Sequence, residues 1–128
     1  MQNKCIRFCL NLGNLDHIGT KEFKKIKWLN TSDRFIQCVC SAAFNFIIKN
    51  CPDYMSDIFH IAFPGNIDTR SSFLKLKQPL RKTNMGQNSI SFLGPQQWNR
   101  LPKYIKESKT INTFKHKLKN YFFDILDQ

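Results

Sequence analysis

Between Thr69 and Lys106 the chain has no Asp or Glu. The same window holds Arg70, Lys75, Lys77, Arg81, Lys82, Arg100, Lys103 and Lys106. Over the whole chain 20 Lys and Arg stand against 9 Asp and Glu, a formal net charge of +11. The excess lies mostly in one half: residues 1–64 carry 8 basic and 5 acidic side chains, residues 65–128 carry 12 and 4. An acid-free basic stretch is the electrostatic footprint of a polyanion-binding surface, with nucleic acid as the leading partner. The alternative is a solvated basic surface with no cognate ligand.

Other absences narrow the function. No stretch approaches the roughly 20 apolar residues of a membrane span. The start has no charged-then-apolar leader layout, because Lys4 and Arg7 interrupt the apolar residues. A soluble intracellular protein, in nucleus or cytoplasm, is therefore expected. No two aspartates are adjacent and no phosphate-cradling glycine motif occurs. His17, His60 and His116 lie far apart, without acid or nucleophile patterning. Asp53 and Asp57 read as charges near a helix N-terminus rather than metal ligands. The chain is expected to be non-catalytic, with no cofactor and no metal. The five cysteines, Cys5, Cys9, Cys38, Cys40 and Cys51, form no Cys-x-x-Cys pair and have no His at zinc-finger spacing. An odd count suits a reducing compartment, and all five are expected to act as small core hydrophobes.

What is present is helical. With 41% hydrophobic residues and twelve Phe, the chain has the composition of a packed core. Met1–Leu12 has Cys5, Phe8, Cys9 and Leu12 on one face, with Gly13-Asn14 as its stop. The helical pattern begins almost at Met1 without a cap, as in a helix cut from preceding sequence. Lys21–Leu29 forms a short helix capped by Thr20. A long helix follows, capped by Thr31 or Ser32 and running to about Asn50. Its stripe is Phe35, Cys38, Val39, Ala42, Ala43 and Phe46. Ile36, Cys40, Phe44, Ile47 and Ile48 widen that surface, leaving Arg34, Gln37, Ser41, Asn45 and Lys49 as a narrow polar strip. Asp53–Phe59 supplies one or two further turns, and Phe63–Ser72 a connecting loop around Pro64-Gly65-Asn66.

The second half changes pattern. Phe73–Lys77 and Ser89–Leu93 alternate, with Pro79 and Asn84-Met85-Gly86 between them, which predicts two short strands in a basic hairpin. Pro95 suits the first position of a helical segment that turns Trp98 and Leu101 inward. Trp98 reads as core rather than as a base-stacking platform. Ser108 or Thr110 caps a last helix to about Leu126, with Ile111, Phe114, Leu118, Tyr121, Phe122 and Ile125 on its apolar face. The fold expected is mainly α: a helical bundle with a small β-hairpin in the second half.

The run Gly94-Pro95-Gln96-Gln97-Trp98-Asn99-Arg100-Leu101-Pro102 is followed by Ile105, Ser108 and Phe114-Lys115-His116-Lys117-Leu118-Lys119. This Trp-Asn-x-Leu-Pro, then Ile, Ser and Phe-Lys-x-x-Leu-Lys, resembles the C-terminal end of reverse transcriptases from non-LTR retrotransposons of the jockey and chicken-repeat type. Trp28-Leu29 with Arg34, Pro52 with Tyr54, and Thr69-Arg70-Ser71 fall where that family has landmarks. The resemblance covers essentially all 128 residues. It implies that Gln2-Asn3-Lys4 and Arg7 belong to the last thumb helix, that the family's polymerase aspartates lie upstream, and that this is a fragment of a longer polyprotein. Residues 1–62 would then be a thumb-like helical segment, and residues 63–128 a basic hairpin with an amphipathic helix, joined in one domain.

The expected partner is RNA, DNA or an RNA–DNA hybrid, held through backbone phosphates without sequence reading. The contact residues expected are Arg70, Lys75, Lys77, Arg81 and Lys82, with Arg100 and Lys103 behind them. Two alternatives stay open. One is a structural piece whose apolar helix faces packed on a missing polymerase core or on a second copy; the other is a relic reading frame without a role.

Overall fold

The computed structural model describes residues 1–62 and 75–125. The expected loop Phe63–Ser72, the start of the first expected strand at Phe73-Leu74, and Arg70 lie outside the described residues. The order is α1 (Gln2–Leu10), α2 (Thr20–Lys25), α3 (Thr31–Ile47), α4 (Met55–Ile58), β1 (Ile61–Ala62), β2 (Lys75–Leu76), α5 (Asn84–Gln87), α6 (Ile90–Arg100), α7 (Lys103–Lys106) and α8 (Ile111–Ile125). The fold is mainly α, with one small antiparallel strand pair among the described residues.

Local chemistry sets most boundaries. Glu22 reaches back to accept the Gly19 N–H at 2.8 Å, so Gly19 rather than Thr20 caps α2. That bond is the first cause holding the Glu22 carboxyl below its usual range. Asn30, one residue earlier than expected, caps α3 by accepting the Asp33 N–H at 2.8 Å. Of the two caps expected for α8, Thr110 takes the role, accepting the Thr113 N–H at 3.2 Å. Ser108 instead donates to the Ile105 carbonyl at 2.7 Å and closes the turn of α7.

Helix ends are made without glycine. Asn11, Lys27 and Lys49 all have φ near +55°: 54°, 56° and 56°. After each, the next N–H reaches back five residues, Leu12 to Arg7, Trp28 to Phe23 and Asn50 to Asn45, all at 2.9 Å. This is the Schellman closure. The first helix therefore stops at Asn11 and not at Gly13-Asn14, because Asn tolerates the left-handed conformation.

The core is where α3, α6 and α8 meet. Phe44 of α3 stacks on Phe114 of α8 with ring centroids 4.5 Å apart. Trp98 of α6 packs against both, at 6.4 and 5.9 Å. Trp98 is 2% exposed and Leu101 8%, so both point inward as the sequence predicts, and Trp98 has no open face for a base. In α8 the apolar spacing also holds: Phe114, Leu118 and Phe122 are buried, with Ile111 and Tyr121 packed at the margin. Ile125 alone of that face is largely exposed.

Three expectations need correction. The inward face of α3 is rotated from the predicted stripe: Phe35 is 55% exposed and Cys38 exposed, whereas Gln37 and Ser41 of the supposed polar strip are buried. The reason is hydrogen bonding. Gln37 Nε2 donates across the interface to the Lys115 carbonyl at 3.1 Å, Arg34 Nη1 donates to Gln37 Oε1, and Ser41 Oγ donates to the Gln37 carbonyl. A buried polar group satisfied in this way costs little. Second, α1 buries Ile6, while Cys5, Phe8 and Cys9 face outward. Its attachment is largely polar: Gln2 donates to the Leu29 carbonyl and accepts from Thr31 Oγ1, and Arg7 donates to the Asp16 carbonyl. With Cys38 also exposed and Cys51 half-buried, only Cys40 is a fully buried core cysteine, and burial pushes its thiol up to about 12.

Third, Ser89–Leu93 is not a strand. Ser89 caps α6, whose first turn begins at Ile90, and β2 pairs instead with β1 in the register Ile61↔Leu76, Ala62↔Lys75. Pro95 thus sits within α6 rather than at its start. Gly94 makes that possible in two ways. Without Cβ it relieves the clash that a proline imposes on the preceding helical residue. It also lets the Phe59 ring lie against α6: a Cβ at Gly94 would stand 2.3 Å from Phe59 Cε1 and 2.8 Å from Cζ. Phe59 is 1% exposed and cannot swing aside freely. Gly94→Ala is accordingly expected to destabilise by about 1–3 kcal/mol or more. Urea denaturation would show a lower midpoint, partly restored by adding Phe59→Leu.

Candidate nucleic-acid interface

Three short segments carry the basic residues: β2, the turn before α5, and the α6–α7 corner. In β2 the pairing determines which way each side chain points. Lys77 N–H donates to the His60 carbonyl at 2.7 Å, so the opposed pair Ile61–Leu76 is a non-hydrogen-bonded one. The N–H and C=O of Leu76 therefore face the other edge of β2. Asn99 of α6 satisfies both: it accepts the Leu76 N–H on Oδ1 at 3.1 Å and donates from Nδ2 to the Leu76 carbonyl at 2.9 Å. One side-chain amide thus stands in for a neighbouring strand.

The consequence is an outward basic pair. Leu76 is 2% exposed and enters the core, so alternation along the strand directs Lys75 and Lys77 away from it. Both are exposed. The clamp also fixes them beside the end of α6, where Arg100 is the next residue after Asn99 and is exposed. Leu101 leaves the helix into the core, Pro102 opens α7, and Lys103 follows at the surface. Lys75 and Lys77 thus leave the strand that Asn99 clamps, and Arg100 and Lys103 follow Asn99 by one and four residues at the surface.

Arg81 and Lys82 stand on a different element. They are exposed in the turn leading to Thr83, which caps α5 by accepting the Gly86 N–H at 3.2 Å. Gln87 Nε2 holds the Arg81 carbonyl at 3.1 Å. The expected hairpin is therefore not the element that carries all five leading basic residues: β2 carries Lys75 and Lys77, the α5 turn carries Arg81 and Lys82, and Arg70 lies outside the described residues.

Two participants are absent from the residues expected on sequence. Asn99 is the clamp itself. Lys106, in the last turn of α7, is partly buried and its Nζ lies 5.7 Å from the Trp98 ring centroid. It donates to the Asn99 carbonyl at 3.4 Å. Burial first, and the nearby Lys75 charge second, lower its pKa from the ordinary lysine value. Lys106 was visible only as one of the basic residues of the acid-free stretch and Asn99 only as part of the Trp-Asn-x-Leu-Pro run, neither of which points to a polar partner on β2. Among the described residues no three His, Cys, Asp or Glu side chains come together as a metal-holding group.

Replacing Asn99 by Ala leaves the Leu76 N–H and C=O without their partners, with an expected loss of about 1–3 kcal/mol. Hydrogen exchange would then show faster exchange at Leu76 in the variant, while α8 amides stay protected until global unfolding. No protein-family model, no curated protein and no solved structure matches the chain.

Proposed function

We propose that this chain is the non-catalytic C-terminal piece of a non-LTR retrotransposon reverse transcriptase. In this reading it grips the template–primer through backbone phosphates and does not read sequence. The observation that carries the reading is the joint made by Asn99, which ties the strand carrying Lys75 and Lys77 to the end of α6 that carries Arg100, with Lys103 three residues on, within a stretch that has no Asp or Glu. The resemblance through Trp98-Asn99-Arg100-Leu101-Pro102 supports the family. Exposed ammonium and guanidinium groups on joined elements support phosphate contact, which needs charge rather than base-edge complementarity. The compartment proposed is intracellular, nucleus or cytoplasm; no helix among the described residues is long and apolar enough to cross a membrane.

The test is fluorescence anisotropy of a labelled RNA–DNA hybrid across several salt concentrations. A slope of log affinity against log salt of about −4 or steeper is expected, corresponding to four or more phosphates engaged. Arg81→Glu with Lys82→Glu is expected to weaken binding and leave melting unchanged. Unchanged affinity would remove the α5 turn from the interface, and no binding by the folded wild type would sink the reading.

One observation favours a second reading, a packing piece of a larger assembly. Phe8 is 89% exposed on α1, and Cys5, three residues before it, and Cys9, four residues after Cys5, are exposed as well. On that reading α1 presents an apolar face to a polymerase core or a second copy. Light scattering would show association that grows with concentration and is abolished by Phe8→Lys.

A further inference from the structure

The basic residues of the joint are not equivalent. Lys75 and Lys77 project from β2 into solvent, whereas Lys106 lies partly buried on the Trp98 ring. Asn99 connects them: its side chain holds the backbone of Leu76, next to Lys75, and its carbonyl receives Lys106 Nζ. We infer that Lys75 and Lys106, framed by Asn99, form a discrete phosphate subsite, with Trp98 beneath it. The inference rests on the reading above for the owner of the phosphate, a nucleic-acid backbone, but not for the phosphate itself.

Through Asn99, Lys106 lies next to the strand residue that follows Lys75, so two like charges on separate elements neighbour one another, and Lys106 is also partly removed from water. Both effects disfavour the empty site, and an anion placed between the ammonium groups offsets both. The Asn99 carbonyl takes at most one of the three Lys106 N–H donors, and at 3.4 Å the bond is long. The remaining donors are suited to phosphate oxygens, which lysine binds as a compact point charge. Because Asn99 holds the backbone beside Lys75 and accepts from Lys106, the strand and the Lys106 ammonium are positioned before the ligand arrives and only the Lys75 side chain has to be ordered, which reduces the ordering cost of binding. Trp98, 2% exposed, does not meet the ligand; it senses the ammonium above its ring.

The chain has two tryptophans, so Trp28→Phe leaves Trp98 as the sole emitter. That variant would be titrated at constant ionic strength with inorganic pyrophosphate, and separately with an unlabelled RNA–DNA hybrid. Both are expected to give a saturable change in Trp98 emission. Lys75→Gln, an exposed change that keeps the fold, is expected to weaken pyrophosphate binding about tenfold. Lys106→Gln should remove the emission change and make the hybrid's salt slope shallower by about 1. Lys21→Gln on α2 should alter neither. No saturable emission change with either ligand, or one that survives both Lys75→Gln and Lys106→Gln, would overturn the subsite. Hybrid binding by anisotropy without any Trp98 response would also overturn it while leaving the proposed function standing. A pyrophosphate response without hybrid binding would support the subsite and remove nucleic acid as its owner.

Discussion

The stacked contact of Phe44 on Phe114, closed by Trp98, is the constraint on which the rest of the structure depends. It joins residues from α3, α6 and α8 and brings together segments 54 and 70 positions apart (98 − 44 and 114 − 44). Offset aromatic packing adds a directional preference to the large apolar area these rings bury. Once Trp98 is held, Asn99 beside it has a defined position, and so do Leu101 and the turn into α7. The basic joint is thus a consequence of core packing. Its lysines owe their placement to the residue next to a buried tryptophan, not to any affinity among themselves.

The same core explains why two polar residues lie inside. Gln37 and Ser41 occupy the face of α3 that meets α8, and Gln37 bridges Arg34 to the Lys115 carbonyl. Rotating α3 to bury Phe35 instead would expose Phe44 or pull it off Phe114. The aromatic contact wins that competition, and the glutamine amide satisfies the polar groups it leaves. At the other side of α6, Gly94 permits Phe59 to approach, and Phe59 in turn packs near Phe46 at a centroid distance of 5.7 Å. The strand β1 leaves directly after this anchor, which sets where β2 can pair.

Legibility followed the range of the interactions. The apolar face of α8 was readable because its large side chains recur every three to four residues on one side only. The orientation of α3 was not, because its apolar surface runs most of the way round and several rotations satisfy periodicity equally. Ser89–Leu93 alternates over five residues, a length too short to separate a strand from a first helical turn. The cysteines misled for a similar reason: Cys5 and Cys9 share a face of α1, yet that helix is tied down through Gln2 and Arg7, so the face turns outward. Six of the seven basic residues chosen as contacts lie in the described part and are exposed, and Lys106 belongs to the same acid-free stretch, but nothing in the pattern showed that the Asn99 amide would tie β2 to α6 or that Lys106 would lie against Trp98.

The sequence by itself determined the helical majority, the inward direction of Trp98 and Leu101, most of the apolar face of α8, and the acid-free character of the basic stretch. Each depends on residues within a few turns of one another, or on composition alone. Only the tertiary structure decided which side of α3 is core, that β2 pairs with β1, that Asn99 grips Leu76, and that Lys75 and Lys106 share a site. Those outcomes join positions from 13 to 78 residues apart (75 − 62 for the strand partners Ala62 and Lys75, 115 − 37 for Gln37 and Lys115). Local periodicity carries no record of such distances, since it describes which side of an element is apolar and not what that side will meet.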